Sequence, residues 1–397
     1  MTPLAVTDFT LATALGIGRA PTLAALREAR SGLARRGFET ADLDTWLGVV
    51  NGVDAARLPD SLRDFDCRNN RLAWLGLNAD GFAQSVARAA ARWGARRVGV
   101  FVGTSTSGIL ETEQAYRRRD PASGALPPDL RYAETHNTGS LGRFVRQALG
   151  LQGPSHVIST ACSSSAKAFG SAARLIALGV IDAAVVGGTD SLCLTTLYGF
   201  ASLELLSPEP CRPWDAQRRG LSLGEGAAFA LLERGGASEV DALAWLRGVG
   251  ETSDGHHMSS PHPEGAGAAE AMRAALDQAG LQPGDVDYLN LHGTATPNND
   301  AIEDLAVRSV FGTALACSST KGHTGHTLGA AGGVEAAIAL LALRHGFVPQ
   351  GLHRDCPDPA LACAYVARNR DAALKVVASN SFGFGGSNAC LVFGAVA

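Results

Sequence analysis

An extended apolar segment, His156-Val157-Ile158, runs into Ser159-Thr160-Ala161-Cys162-Ser163-Ser164-Ser165-Ala166, so one thiol is delivered to the start of a small-residue helix. A thiol there meets the positive end of the helix dipole and free backbone N–H groups, which lower its pKa and can hold an oxyanion beside it. Taken alone, a cysteine of this kind is more often a small buried hydrophobe. Two later motifs tilt the balance: Leu291-His292-Gly293-Thr294-Ala295-Thr296-Pro297 and Lys321-Gly322-His323-Thr324-Gly325-His326-Thr327. Each sets a histidine in a Gly/Thr-rich turn directly after an apolar strand candidate, at 286–291 and 314–317. A lone histidine in a turn is usually satisfied or solvated. One cysteine and two histidines at three strand-to-turn edges instead make a thiol nucleophile with two partners able to donate or accept protons.

Placing such edges together requires a scaffold of repeated strand-turn-helix units. Apolar strands at 97–102, 156–159, 183–186 and 227–232 alternate with helical stretches at 138–149 and 164–178, an order that implies a mainly parallel sheet flanked by helices. The strand, glycine turn and strand of 183–188 and 226–232 recur at 374–378 and 387–393. The Cys162 helix and a helix over 329–343 hold matching places before them. The echo predicts two related halves packed into one body, 1–240 carrying the thiol and 241–397 carrying both histidines.

Bulk composition agrees with one compact α/β body: 46% hydrophobic and 18% charged residues, with 47 glycines. A net charge of −4 offers no basic field for a polyanion, so no nucleic-acid partner is expected. Eight cysteines at irregular spacing, with no C-x-x-C pair, read as reduced thiols in the cytoplasm. The start of the chain lacks a basic and apolar leader, and no window offers 18 uncharged apolar residues, so neither a signal peptide nor a membrane span is expected.

The motifs together resemble the condensing enzymes, specifically the β-ketoacyl-acyl-carrier-protein synthases. The resemblance runs from Ala14-Leu15-Gly16 and 27–33 through Val102-Gly103-Thr104, the Cys162 turn, and Cys211-Arg212-Pro213-Trp214-Asp215 with Gly224-Glu225-Gly226-Ala227. It continues through both histidine motifs to Asn380-Ser381-Phe382-Gly383-Phe384-Gly385-Gly386-Ser387-Asn388. It implies a thiolase-like, five-layered α-β-α-β-α fold and a decarboxylative Claisen condensation of an acyl thioester with malonyl carrier, in fatty-acid, polyketide or aryl polyene synthesis. It also implies that Cys162 carries the acyl group and that His292 and His326 act on the malonyl thioester. Backbone N–H groups of Cys162 and Phe384 would hold the oxyanion, with Phe382 and Phe384 at a gate. Lys321 and Glu335 match the lysine and glutamate flanking the second histidine motif and are expected to pair and orient His326; a structural ion pair is the other reading. Asn299, Asp300 and Glu303 are expected to anchor the His292 loop.

Thr104, Thr106 and Gly325 are expected at the acyl pocket, where hydroxyl groups would suit a non-saturated chain. Lys167 stands where familiar relatives carry histidine. Arg68 and Arg71, three apart on a helix, match a basic docking surface for acidic acyl carrier protein, with Arg117-Arg118-Arg119 a second candidate. The resemblance implies a homodimer, or a heterodimer with a chain-length-factor-like homologue; 111–136 would help form that interface. No cofactor and no metal are expected: His256, His257 and His262 sit in a loop with no ligand spacing. A non-catalytic chain-length partner, a thiolase and a cysteine hydrolase are the competing readings. The first should lack the thiol, and the second should carry another cysteine at the C-terminal glycine loop.

Overall fold

The computed structural model describes residues 1–35, 37–235 and 240–396. Residues 236–239, inside the expected join between the halves, lie outside the described residues.

Beside short strands of two or three residues, the main strands of the first half are β1 (Leu4–Thr13), β2 (Val98–Gly103), β3 (Ser155–Ile158), β4 (Ala183–Asp190) and β5 (Gly226–Glu233). Besides a short helix at Arg19–Arg27, its helices are α1 (Arg68–Leu77), α2 (Phe82–Trp93), α3 (Ile109–Arg117), α4 (Gly139–Ala148), α5 (Ser164–Ala177) and α6 (Leu194–Ser202). In the second half β6 (Ala244–Ser253), β7 (Tyr288–Asn290), β8 (Ala316–Ser318), β9 (Val376–Gly383) and β10 (Ser387–Gly394) alternate with α7 (Ala266–Ala279), α8 (Pro297–Phe311) and α9 (Ala331–His345).

Within one continuous hydrogen-bonded path, the first sheet runs β3-β2-β4-β5-β1 and the second β8-β7-β9-β10-β6, the same order twice, with a two-residue edge strand Ala364–Tyr365 beyond β8. In each, the first three strands are parallel and the last two antiparallel. The sheets meet where β1 pairs antiparallel with β6, Leu4 opposite Leu246 and Val6 opposite Ala244.

Burial explains the layers. Every residue of β4, Ala-Ala-Val-Val-Gly-Gly-Thr-Asp, is buried, as expected of a strand covered on both faces. Its alternate residues serve different cores. Ala183 and Val185 join Leu72, Phe82 and Phe144 of the outer helices, while Ala184 and Val186 join Phe169 of α5 and Ile338 of α9. On the far side Met272 and Leu276 of α7 and Val307 of α8 cover Leu289 and Val392 of the second sheet. Helices, sheet, the α5/α9 pair, sheet and helices make the five-layered thiolase-like fold.

The central layer works because its helices are small-faced. A Cβ on Gly332 of α9 would lie 2.6 Å from Ala166 Cβ and 2.7 Å from Ala166 N of α5. The stretch Leu328–His345 is long and apolar enough to cross a membrane, yet 89% of it is buried inside the protein, as befits a helix that is apolar all round. All eight cysteines are free, and only Cys356 is exposed.

Replacing Gly332 with Val should push α5 and α9 apart and destabilise the protein by roughly 3 kcal/mol. The control Gly284→Val, where nothing lies within 4 Å of the added carbon, should leave the denaturant midpoint nearly unchanged. Equal midpoints for the two variants would show that the close approach is not needed.

Candidate active site

Cys162 stands just ahead of α5, on a turn in which Ala161 takes a left-handed φ of 51°. That strained conformation turns the chain sharply out of β3. Gly103 at the end of β2 lets Ser164 and Ser165 seat against it, since a Cβ there would lie 2.3 Å from Ser165 N. Gly383 does the same from the second half, its added carbon meeting Thr160 O at 2.7 Å and Cys162 N at 3.2 Å. The neighbouring Phe384 lines the same cavity as the thiol, and its backbone N–H favours the thiolate. Cys162 is buried, and that burial pushes its thiol up to about 12, opposed by the nearby charge of Lys321. The lowered thiol expected from the helix start is thereby corrected: loss of water outweighs the nearby positive charge.

Both histidines come from the second half. His292 follows β7, and its turn is held by α8: Glu303 accepts from His292 N at 2.8 Å and from Gly293 N at 2.7 Å. Asp300 accepts from Ala295 N and Trp214 N, both at 3.1 Å. His326 is fixed through its backbone, donating to Ser222 O at 2.8 Å and accepting from Gly224 N at 3.0 Å. Its Nε2 lies 2.9 Å from Cys162 Sγ, and the two imidazoles meet edge to face with centroids 5.3 Å apart.

Lys321 is 1% exposed; its ammonium contacts Glu335 and the His292 carbonyl and lies 3.4 Å from His292 Nδ1. The expected Lys321–Glu335 pair is present, but it addresses His292 rather than His326, whose Nδ1 has no partner among the described residues. The lysine side chain reaches back across the turn and ends beside the other ring. Burial, with the charge of Lys321, depresses both histidines well below their ordinary value. Burial pushes Glu335 up to about 7, with Lys321 opposing.

The ligand atoms of Cys162, His292 and His326 lie within 4.8 Å of one another, a set that could also bind a metal. Zinc-binding histidines normally donate their second ring nitrogen to a carboxylate or carbonyl. Here one such nitrogen faces an ammonium and the other faces nothing, so the surroundings suit proton chemistry better than a metal.

The thiol closes a cavity of about 340 Å³, lined among others by His292, His326, Phe200, Leu203, Asn299 and Phe384. Phe382 packs 5.8 Å from His292, and Phe384, 37% exposed, lies 5.7 Å from Phe200.

Family comparison decides the assignment. Residues 70–237 match the model of the beta-ketoacyl synthase N-terminal domain, and residues 243–355 that of the C-terminal domain. This chain belongs to the β-ketoacyl synthase family. It is 36% identical to 3-oxoacyl-[acyl-carrier-protein] synthase 2 of Staphylococcus aureus over 321 residues, 75% of each protein. To the mitochondrial 3-oxoacyl-[acyl-carrier-protein] synthase of Arabidopsis thaliana it is 41% identical over 274 residues, 64% of this chain and 59% of that one. The match thus spans less than two thirds of the plant protein. Among solved structures, a chain of the ketosynthase ApeO in complex with its chain length factor ApeC, from Xenorhabdus doucetiae, superposes with a TM-score of 0.89 and 37% identity, covering 99% of this chain and 98% of that one.

Within this synthase framework, some expected site residues lie elsewhere. Arg68 is buried, donating to Glu225 at 2.6 Å and 2.8 Å, so it ties α1 to the core and cannot dock a carrier. Arg71 is half-buried and engaged by Asp66 at 2.5 Å. Arg117, Arg118 and Arg119 are exposed. Thr104 and Thr106 are buried away from the cavity, their hydroxyls donating to Asp190 at 2.5 Å and 2.9 Å. Gly325, at φ 76°, allows a close backbone approach to Gly224 rather than lining the pocket. Lys167 is half-buried on α5, its ammonium depressed by desolvation and partly restored by Glu251.

The sequence reading missed Asp190, although a carboxylate ending a fully buried strand was a legible signal. It also missed Phe200 and Leu203, whose plain helical context gave none.

A raised thiol and depressed imidazoles together favour a neutral Cys162–His326 pair at rest. Alkylation of Cys162 by iodoacetamide should therefore rise about tenfold per pH unit from 7 to 10, because only the thiolate reacts. A plateau reached near pH 6, read by peptide mass spectrometry, would reveal a resting thiolate–imidazolium pair instead.

Proposed function

We propose that the protein catalyses decarboxylative Claisen condensation between an acyl thioester and malonyl-acyl carrier protein. One observation carries this reading: a buried thiol 2.9 Å from one imidazole, with a second imidazole edge-on to the first, at the end of a channel. Cys162 Sγ attacks the acyl-carrier carbonyl as His326 Nε2 takes and keeps its proton, and the carrier sulfur leaves as a thiolate that is protonated by solvent. The N–H groups of Cys162 and Phe384 hold the oxyanion.

Malonyl carrier then enters the same channel. An ammonium can only donate, so Lys321 makes His292 Nδ1 an acceptor and leaves the ring proton on Nε2. His292 and His326 donate to the malonyl thioester oxygen as the carbon–carboxylate bond breaks and carbon dioxide departs. The enolate carbon attacks acyl-Cys162, the carbon–sulfur bond breaks, and the Sγ thiolate takes back the proton held on His326 Nε2. Preorganised donors of this kind contribute about 3 kcal/mol each.

A thiolase would place a second cysteine beside the glycine loop. The nearest, Cys390, is buried in the outer apolar cluster of the second sheet, away from Cys162. A non-catalytic chain-length partner has no use for the Cys162–His326 contact.

The acyl carrier partner follows from the family, and the exposed run Arg117 to Arg119 is the better docking candidate now that Arg68 is buried. The open, half-exposed edge strand β3 and the exposed Tyr116, Leu126 and Tyr132 favour a dimer partner on that side. That partner is either a second copy or a chain-length-factor-like homologue; ApeO is found in complex with its chain length factor. Free cysteines throughout fit a reducing cytoplasm.

Cys162→Ala should abolish the acyl adduct seen by intact-protein mass spectrometry after incubation with acyl carrier. His292→Ala should slow malonyl-carrier decarboxylation by about a hundredfold while leaving acylation of Cys162 largely intact. Loss of acylation with normal decarboxylation would sink this assignment. Light scattering of active protein should give a dimer mass, and an active monomer would count against the shared interface.

A further inference from the structure

Helix α6 does not cap itself. The preceding Cys193 is extended and makes no side-chain cap bond. The first N–H groups are taken instead by Glu113, carried by α3. Its Oε2 accepts from Leu194 N at 3.0 Å, and its Oε1 accepts from Thr195 N at 2.6 Å and Thr195 Oγ1 at 2.5 Å. A carboxylate there satisfies orphan donors and faces the positive end of the helix dipole. Further along α6, Leu197 is buried in a cluster with Leu110 of α3, so the two helices are also joined by apolar packing. Phe200 of the same helix lines the channel, and its ring lies 5.7 Å from Phe384. Phe384, in turn, lines the cavity that the Cys162 sulfur closes.

We propose that Glu113 is a positioning residue for the aromatic gate. By capping α6 from another segment it fixes Phe200, and Phe200 holds Phe384 over the thiol. The inference rests on Phe384 standing beside Cys162 and not on the condensation reaction. It therefore stands or falls separately.

The test compares alkylation of Cys162 by small iodoacetamide and by bulky fluorescein maleimide at one pH, followed by peptide mass spectrometry. Glu113→Ala should raise the ratio of bulky to small reagent rates by about fivefold, the population shift that losing one helix cap supports. Glu113→Gln, which retains one acceptor oxygen, should give an intermediate ratio. Phe200→Ala should match Glu113→Ala, and the double variant should exceed neither, because both changes release one gate. Equal acceleration of both reagents would mean a general loosening and would overturn the proposal, as would additive effects in the double variant. Should Glu113→Ala fail to fold, the Glu113→Gln and Phe200→Ala pair supports the same comparison. No carrier or acyl donor is needed, so failure here leaves the proposed reaction untouched.

Discussion

The buried ammonium of Lys321 is the constraint on which the centre depends. A cation almost wholly removed from water is tolerated only if a counter-charge and acceptors surround it. Glu335 supplies the charge from the central helix of the second half, and the His292 carbonyl and ring nitrogen supply the acceptors. The same contacts decide which edge of His292 carries its proton. Breaking the pair would leave Glu335 ionisable in the core and free His292 to change tautomer, so stability and chemistry are tied to one side chain.

The repeated halves explain how that centre is assembled. Each half places a strand-to-turn edge at the same end of its sheet, and the α5/α9 layer brings those ends together. Cys162 arrives from the first half, and both histidines arrive from the second. Glycines at 103, 332 and 383 are needed because backbone from one segment passes within side-chain distance of another at each of these points.

Much of this was legible in the chain. The repeated strand order and the central helices follow from local patterns of apolar runs and turns, and the meeting of Cys162 with two histidines from the resemblance that their motifs carry. The support given to the His292 turn by Glu303 and Asp300 was expected from the family resemblance; Asp300 lies in the first turn of α8, whereas Glu303 lies a turn further in. Partner choice was not legible. Arg68 and Arg71 share a helix face, but only tertiary packing reveals that Glu225 turns Arg68 inward. Thr104 and Thr106 read as pocket hydroxyls until Asp190, distant in sequence, claims them. The side chain of Lys321 could reach either ring, and spacing alone does not choose. Such errors arise wherever a polar group is satisfied by a residue remote in the chain.

Helix α9 is buried along nearly its whole length, and it comes late. At ordinary rates of synthesis, on the order of ten seconds separate the emergence of β5 from completion of α9. During that interval the inner face of the first sheet lacks α9 and is covered chiefly by α5, and the two helices cannot yet pack. A nascent chain in this condition presents a broad apolar face to its surroundings. Its yield in the cell should therefore depend on chaperone supply and on translation speed across the second half, even though the finished protein hides that face completely.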